Sequence, residues 1–157
     1  MKLDEMVKKI IADKNITIAV AESCTGGLLG SFITSISGSS KIFKGGIISY
    51  SNDIKINILK VDEQIISSFG AVSRECAEAM ANNVREIFDV DYSISITGIA
   101  GPDGGSEEKP VGTVWLACSD KFGVEAVLCN FSGDREQIRH SAVEKAIHIL
   151  YSKIFKM

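Results

Sequence analysis

Ser23 ends an apolar run and opens the segment Ser23-Cys24-Thr25-Gly26-Gly27, a strand-to-helix turn with hydroxyls and a thiol at its apex. A serine there can act as a nucleophile or cap the helix, and free amides at a helix start favour anions. Gly26 and Gly27 let a ligand come close to the backbone. Cys24 would need an activating partner to serve as nucleophile and reads as a small buried residue. A serine nucleophile requires a base. The two histidines, His140 and His148, lie eight residues apart in the last helical segment, roughly 80° apart around its axis, and read as ordinary helix positions. Serine hydrolases without histidine use lysine. The lysine best placed is Lys55, after Tyr50-Ser51-Asn52, where Tyr50 closes a second strand and Asn52 can cap the next helix. In a first helical turn its charge would oppose the dipole, and desolvation would lower its pKa further. Arg135 and Arg139 share a helix face and could hold a phosphate or form surface ion pairs with Asp134 and Glu136.

Residues 97–113 hold both prolines, Pro102 and Pro110, together with Gly98, Gly101, Gly104, Gly105 and Gly112. Connections between elements usually take about 4–6 residues, so a long one rich in Gly and Pro reads as a shaped, functional loop. Asp103, Glu107 and Glu108 in it come without His or Cys, which argues against a metal site.

The elements that must position these groups follow from periodicity. Helical spacing covers residues 2–13, 25–36, 73–88 (Ser73 as cap) and 134–154, with a short helix at 52–59. Strand patterns cover 16–21, 46–51, 91–97, 114–118 and 124–131, the last two joined as a hairpin by Asp120-Lys121-Phe122-Gly123. The hydroxyl face of 91–97 can lie under a helix or face a site. Five strands interleaved with helices predict an α/β fold, a three-layer α/β/α sandwich with a five-stranded mixed sheet, whose ligands bind beyond the carboxyl ends of the strands.

The 157 residues fit one domain, 45% of them hydrophobic, with net charge −3. That balance argues against nucleic acid as a partner, and no apolar run of membrane length exists. The amino terminus has an amphipathic rhythm rather than a leader's apolar block. Four cysteines (24, 76, 118, 129) without a Cys-x-x-Cys pair suit reduced thiols in the cytoplasm.

Six ordered motifs resemble the carboxy-terminal domain of the CinA family, whose stand-alone form is nicotinamide-nucleotide amidohydrolase. They are residues 21–27, Gly38-Ser39-Ser40, Tyr50-Ser51-Asn52 with Lys55, Gly70-Ala71-Val72-Ser73, the loop 98–113 and Phe131-Ser132-Gly133-Asp134-Arg135. The resemblance implies hydrolysis of the carboxamide of nicotinamide mononucleotide in pyridine-nucleotide salvage, without metal or organic cofactor. It implies Ser23 as nucleophile, Lys55 as general base and Tyr50 as an assisting residue. Backbone amides of Thr25 or Gly26 would hold the oxyanion, and Arg135 with the amides of Gly101, Gly104 and Gly105 would hold the phosphate. The alternative is a non-catalytic nucleotide-binding or competence-associated interaction module. Self-association into a homo-oligomer is left open. The chain departs from the family pattern at Ser37, usually Pro, and at Lys60, usually a helix-ending Gly.

Overall fold

Alternation of hydroxyl and aliphatic residues along 92–98 means that one face of that strand must find acceptors wherever it is buried. The computed structural model, which describes residues 1–157, shows how this is met. The strands are β1 (Ile18–Glu22), β2 (Phe43–Ile48), β3 (Tyr92–Gly98), β4 (Thr113–Asp120) and β5 (Gly123–Asn130). They form one sheet in the order β2-β1-β3-β4-β5. β1 runs parallel to β2 and β3, while β4 and β5 complete the sheet antiparallel. The helices are α1 (Leu3–Asp13), α2 (Leu28–Thr34), α3 (Asn52–Asn57), α4 (Glu63–Phe69), α5 (Arg74–Phe88) and α6 (Arg135–Phe155).

α5 covers the hydroxyl face of β3. Ser93 Oγ donates to the Ala81 carbonyl and Ser95 Oγ to the Ala77 carbonyl, both at 2.6 Å, and Thr97 Oγ1 donates to the Ala71 carbonyl at 2.9 Å. Ala77 and Ala81 pack with Ala117 of β4, and these small side chains allow the close approach the hydroxyls need. On the opposite face Ile18, Val20, Ile94, Ile96 and Leu116 join residues of α1, α2 and α6 in a cluster of 24 buried residues. The layers are therefore α1, α2 and α6, then the sheet, then α4 and α5, as the element pattern predicts.

Three local expectations are corrected. β2 begins at Phe43 rather than Gly46 and ends at Ile48, so Tyr50 lies beyond it. Its register pairs Phe43 with Ile18 and Gly46 with Val20. A Cβ on Gly46 would lie 2.6 Å from the Val20 carbonyl oxygen, so the backbone contact requires glycine. α3 is capped by Ser51, whose Oγ accepts from the Ile54 amide at 3.2 Å, not by Asn52. α4 is an additional helix, capped by Asp62 and without a fully buried residue. Lys60, where the sequence departs from the glycine pattern, does sit in the left-handed region at φ 64°.

Candidate active site

The chain leaves β1 between two neighbours that hold it rigidly. The Ser23 amide donates to the Ile96 carbonyl at 3.0 Å, and the Ser49 amide donates to the Glu22 carbonyl at 2.7 Å. Ser23 therefore stands at the carboxyl end of the parallel part of the sheet, where such folds place ligands. The turn that follows is held from two sides. Inside, the buried Glu22 carboxylate accepts the amides of Gly27 (3.2 Å) and Leu29 (2.9 Å) on one oxygen and of Gly30 (2.9 Å) on the other. Outside, Arg139 donates from Nε to the Cys24 carbonyl at 3.1 Å and from Nη2 to the Thr25 carbonyl at 3.0 Å.

These contacts revise the reading of the turn. The start of α2 carries the chain's own anion, Glu22, so its amides are not free for a ligand. The Gly26 amide donates to the Ser23 carbonyl at 3.0 Å. Gly26, at φ 54°, lies under Arg139, 3.7 Å from where a Cβ would stand, and does not line the cavity. Thr25 is fully buried and its Oγ1 has no hydrogen-bond partner. The amides of Cys24 and Thr25 form no hydrogen bond within the chain. Arg139 braces the turn, whereas Arg135 lines the cavity.

Lys55 reaches the turn from α3. Its Nζ lies 2.9 Å from Ser23 Oγ, 2.7 Å from the Ser49 carbonyl oxygen and 3.2 Å from that of Tyr50. The residue is 1% exposed and makes no ion pair. Burial pushes its pKa below the ordinary 10.5, with the neighbouring Cys76 and Cys24 acting slightly in the other direction. The helix dipole is not the cause, because Lys55 lies in the last turn of the six-residue α3 rather than the first. Cys24 is buried too, and burial raises its thiol pKa to about 11, which keeps it protonated and unreactive. His140 and His148 are exposed on α6, and His140 faces Glu136 at 3.7 Å.

The remaining walls come from elsewhere in the chain. A cavity of about 280 Å³ is lined by Ser23, Lys55, Tyr50, Gly101, Gly104 and Arg135, and also by Asn52, Val72 and Asp103, which sequence reasoning did not assign to it. Ala71 and Val72 belong to the Gly70-to-Ser73 motif, whose role could have been suspected from its spacing. Arg135 donates from Nη1 to the Gly101 carbonyl at 2.7 Å and from Nη2 to Tyr50 Oη at 3.4 Å, tying the mouth of the cavity together. It pairs with neither Asp134 nor Glu136. Tyr50 is 62% exposed.

The loop is folded upon itself. The Gly112 amide donates to the Ile99 carbonyl at 2.8 Å, and the Ser106 amide to the Lys109 carbonyl at 2.9 Å. Lys109 Nζ donates to the Phe69 carbonyl at the end of α4, at 2.8 Å. Gly105 is exposed and lies outside the cavity lining; a Cβ there would meet the Val111 amide nitrogen at 2.8 Å, so this glycine closes the loop. A second cavity, of about 580 Å³, lies at the far end between β5 and α6 and shares no residue with this one.

An α/β/α domain with a buried serine–lysine pair beyond its parallel strands is the class that these features define. The CinA C-terminal domain matches residues 1–154, and the chain belongs to that family. It is 43% identical over 155 residues to a CinA-like protein of Fervidobacterium nodosum, covering 99% of this chain and 38% of that protein. It is 44% identical over 151 residues to a CinA-like protein of Thermotoga maritima, covering 95% of this chain and 36% of that one. The chain thus spans little more than a third of these relatives. Among solved structures, the competence/damage inducible protein CihA of Agrobacterium tumefaciens superposes with TM-score 0.92 at 37% identity, over 96% of this chain and 94% of that one. A competence-damaged protein (CinA) superfamily protein of Escherichia coli gives TM-score 0.89 at 34% identity, over 96% and 90%. No helix of the chain is long and apolar enough to cross a membrane.

Proposed function

We propose that this domain hydrolyses the carboxamide of nicotinamide mononucleotide to nicotinate mononucleotide and ammonia, with Ser23 as nucleophile and Lys55 as general base. The observation that carries the reading is the 2.9 Å approach of Lys55 Nζ to Ser23 Oγ in a buried setting with no carboxylate on the amine. A neutral amine has two N–H donors and one lone pair. The carbonyls of Ser49 and Tyr50 take the two donors, which leaves the lone pair for the Ser23 hydroxyl proton. The lowered pKa of Lys55 supports the same state.

In this mechanism Ser23 Oγ bonds to the carboxamide carbon as its proton passes to Lys55 Nζ. The carbonyl oxygen becomes an oxyanion, for which the unspent amide of Cys24, on the cavity lining, is the candidate donor. The C–N bond then breaks while Lys55 returns the proton to nitrogen, and ammonia leaves an acyl ester on Ser23. Tyr50, at the mouth, is a second group able to assist the leaving nitrogen. Lys55 next takes a proton from water, whose oxygen attacks the ester, and collapse restores Ser23 and frees the acid. Arg135 and the free amides of the loop at Gly101 and Gly104 are the candidate holders of the phosphate. Gly105 and Gly26 act by shaping the backbone. No step requires a metal or organic cofactor.

The reading places the protein in pyridine-nucleotide salvage in the cytoplasm, a setting consistent with its four free thiols. It is tested by ammonia release at micromolar enzyme from nicotinamide mononucleotide, with free nicotinamide as control. Release from the nucleotide alone is expected. No release from either would sink the amidase reading and leave a nucleotide-binding or interaction module.

A further inference from the structure

Asp103 and Arg135 line the same cavity of about 280 Å³ with opposite charges, and neither belongs to any of the chain's ion pairs. Arg135 is anchored on Gly101 and Tyr50, so its position is fixed by neutral oxygens and its charge is uncompensated. The Asp103 carboxylate is exposed and accepts no hydrogen bond from the chain. Loop acids that served only to stabilise the loop would be expected to accept its free amides or to meet a lysine. Asp103 does neither, and the loop's own Lys109 is spent on the Phe69 carbonyl. Two charges of opposite sign that line one small cavity without pairing match a ligand that is itself a zwitterion. The exposed ring of Tyr50 on the same lining adds a surface that favours a cation.

Resting on the amidase reading above, we infer that Asp103 is a specificity-determining residue that selects carboxamides borne on a positively charged, N-substituted ring. Nicotinamide mononucleotide has such a ring together with an anionic phosphate. Its dihydropyridine form has the same phosphate, ribose and carboxamide but an uncharged ring. Arg135 would draw the phosphate and Asp103 the ring, which orients the ligand along the cavity. Cation and carboxylate at the rim of a wet cavity interact weakly enough that the preference is about tenfold rather than thousands.

The test measures affinity by calorimetry in the Ser23→Ala protein, which cannot turn the ligand over, for nicotinamide mononucleotide and its reduced form. The ratio of kcat/KM for the two in wild-type and Asp103→Asn enzyme gives a parallel readout. Asp103→Asn should weaken the oxidised nucleotide about tenfold and leave the reduced one within about twofold, because only the charged ring meets the carboxylate. Raising the salt from low to physiological concentration should shrink the wild-type preference and leave the variant unchanged. Asp103→Glu should keep part of the preference. Equal weakening of both ligands, or no change in either, overturns the inference while ammonia release by the wild type leaves the amidase reading standing. Absence of both binding and ammonia release overturns the two together. Unfolding temperatures of the variants should match the wild type, since Asp103 makes no contact that the fold uses.

Discussion

Replacing Glu22 with alanine removes the acceptor of three backbone amides at once, those of Gly27, Leu29 and Gly30. The Leu29 amide is buried and would be left without a partner, at a cost of about 1–3 kcal/mol. The Gly27 and Gly30 amides are part-buried and can recover some hydration, so each contributes less. Loss of the negative charge at the start of α2 adds up to about 1 kcal/mol. The sum for Glu22→Ala is about 3–5 kcal/mol, a large share of the roughly 5–15 kcal/mol that holds a domain of this kind. Glu22→Gln is the sharper probe. One carboxylate oxygen serves two amides and the other serves Gly30, so an amide side chain that keeps its oxygen on the first pair turns its NH₂ toward the Gly30 N–H. Donor then faces donor, and the cost should be about 2–3 kcal/mol despite an almost unchanged shape. Urea unfolding followed by circular dichroism measures both variants, with the slope checked for constancy. Because Ser23 is the next residue, kcat should fall in the surviving folded protein more than KM changes. A loss of less than about 1 kcal/mol in Glu22→Ala would refute the idea that this carboxylate holds the turn.

Further outcomes follow from single residues. Lys60 sits at φ 64°, and a left-handed non-glycine residue costs about 1–2 kcal/mol, so Lys60→Gly should raise stability by about 1 kcal/mol and the unfolding temperature by about 2–4 °C. Gly112 has φ 98° and its absent Cβ would fall on the Phe131 carbonyl oxygen, so Gly112→Ala should cost about 3 kcal/mol or more, read by thermal unfolding. Burial lowers the pKa of Lys55 in the folded state below 10.5, so between these two values the unfolded chain binds the extra proton. Stability contributed by this residue therefore rises with pH across that window and is at its lowest below the folded value. Lys55→Met should abolish that rise and tolerate burial well, while hydrolysis should fall at least about a thousandfold. In the wild type, the rate should climb with pH through the lowered Lys55 pKa, as the neutral amine forms.

The layers and most elements were legible because they rest on periodicity. Ser73 was read as the cap of α5, and its Oγ accepts the Cys76 amide at 3.1 Å. The five strands and the hairpin were readable from alternation and turn residues. β2 was displaced because Phe43-Lys44-Gly45-Gly46 has little strand propensity; pairing with β1, and a glycine against Val20, fix it instead. Periodicity does not mark α4, although Asp62 and Glu63 form a start signal, because it buries no residue fully and shows only Ile65, Ile66 and Phe69 as an apolar face.

In the site, the types of residue were legible and their partners were not. Ser23, Lys55, Tyr50, Arg135, Gly101 and Gly104 do come to one cavity. Thr25, Gly26 and Gly105 do not line it. The helix start looked like a site for an external anion, yet Glu22, five residues before the cap, occupies it through contacts that no spacing rule encodes. For Lys55 the sequence points to a helix dipole and to desolvation as causes of a lowered pKa; burial is the cause present in the structure, and the dipole argument lapses because the helix has six residues and the lysine lies in its last turn. For Asp103 the sequence disfavours a metal and leaves a structural or substrate-orienting role. Its place on the cavity that Arg135 also lines depends on the loop's return path, which is set by glycines whose directions a sequence does not state.

The central claim is that Ser23 attacks an amide with Lys55 as its base. The most direct measurement is the initial rate of ammonia release from nicotinamide mononucleotide by wild-type and Ser23→Ala proteins in parallel, with unfolding temperatures recorded for both. Loss of at least about a thousandfold at an unchanged unfolding temperature is the predicted result. A Ser23→Ala protein that keeps a tenth of the wild-type rate would contradict the account.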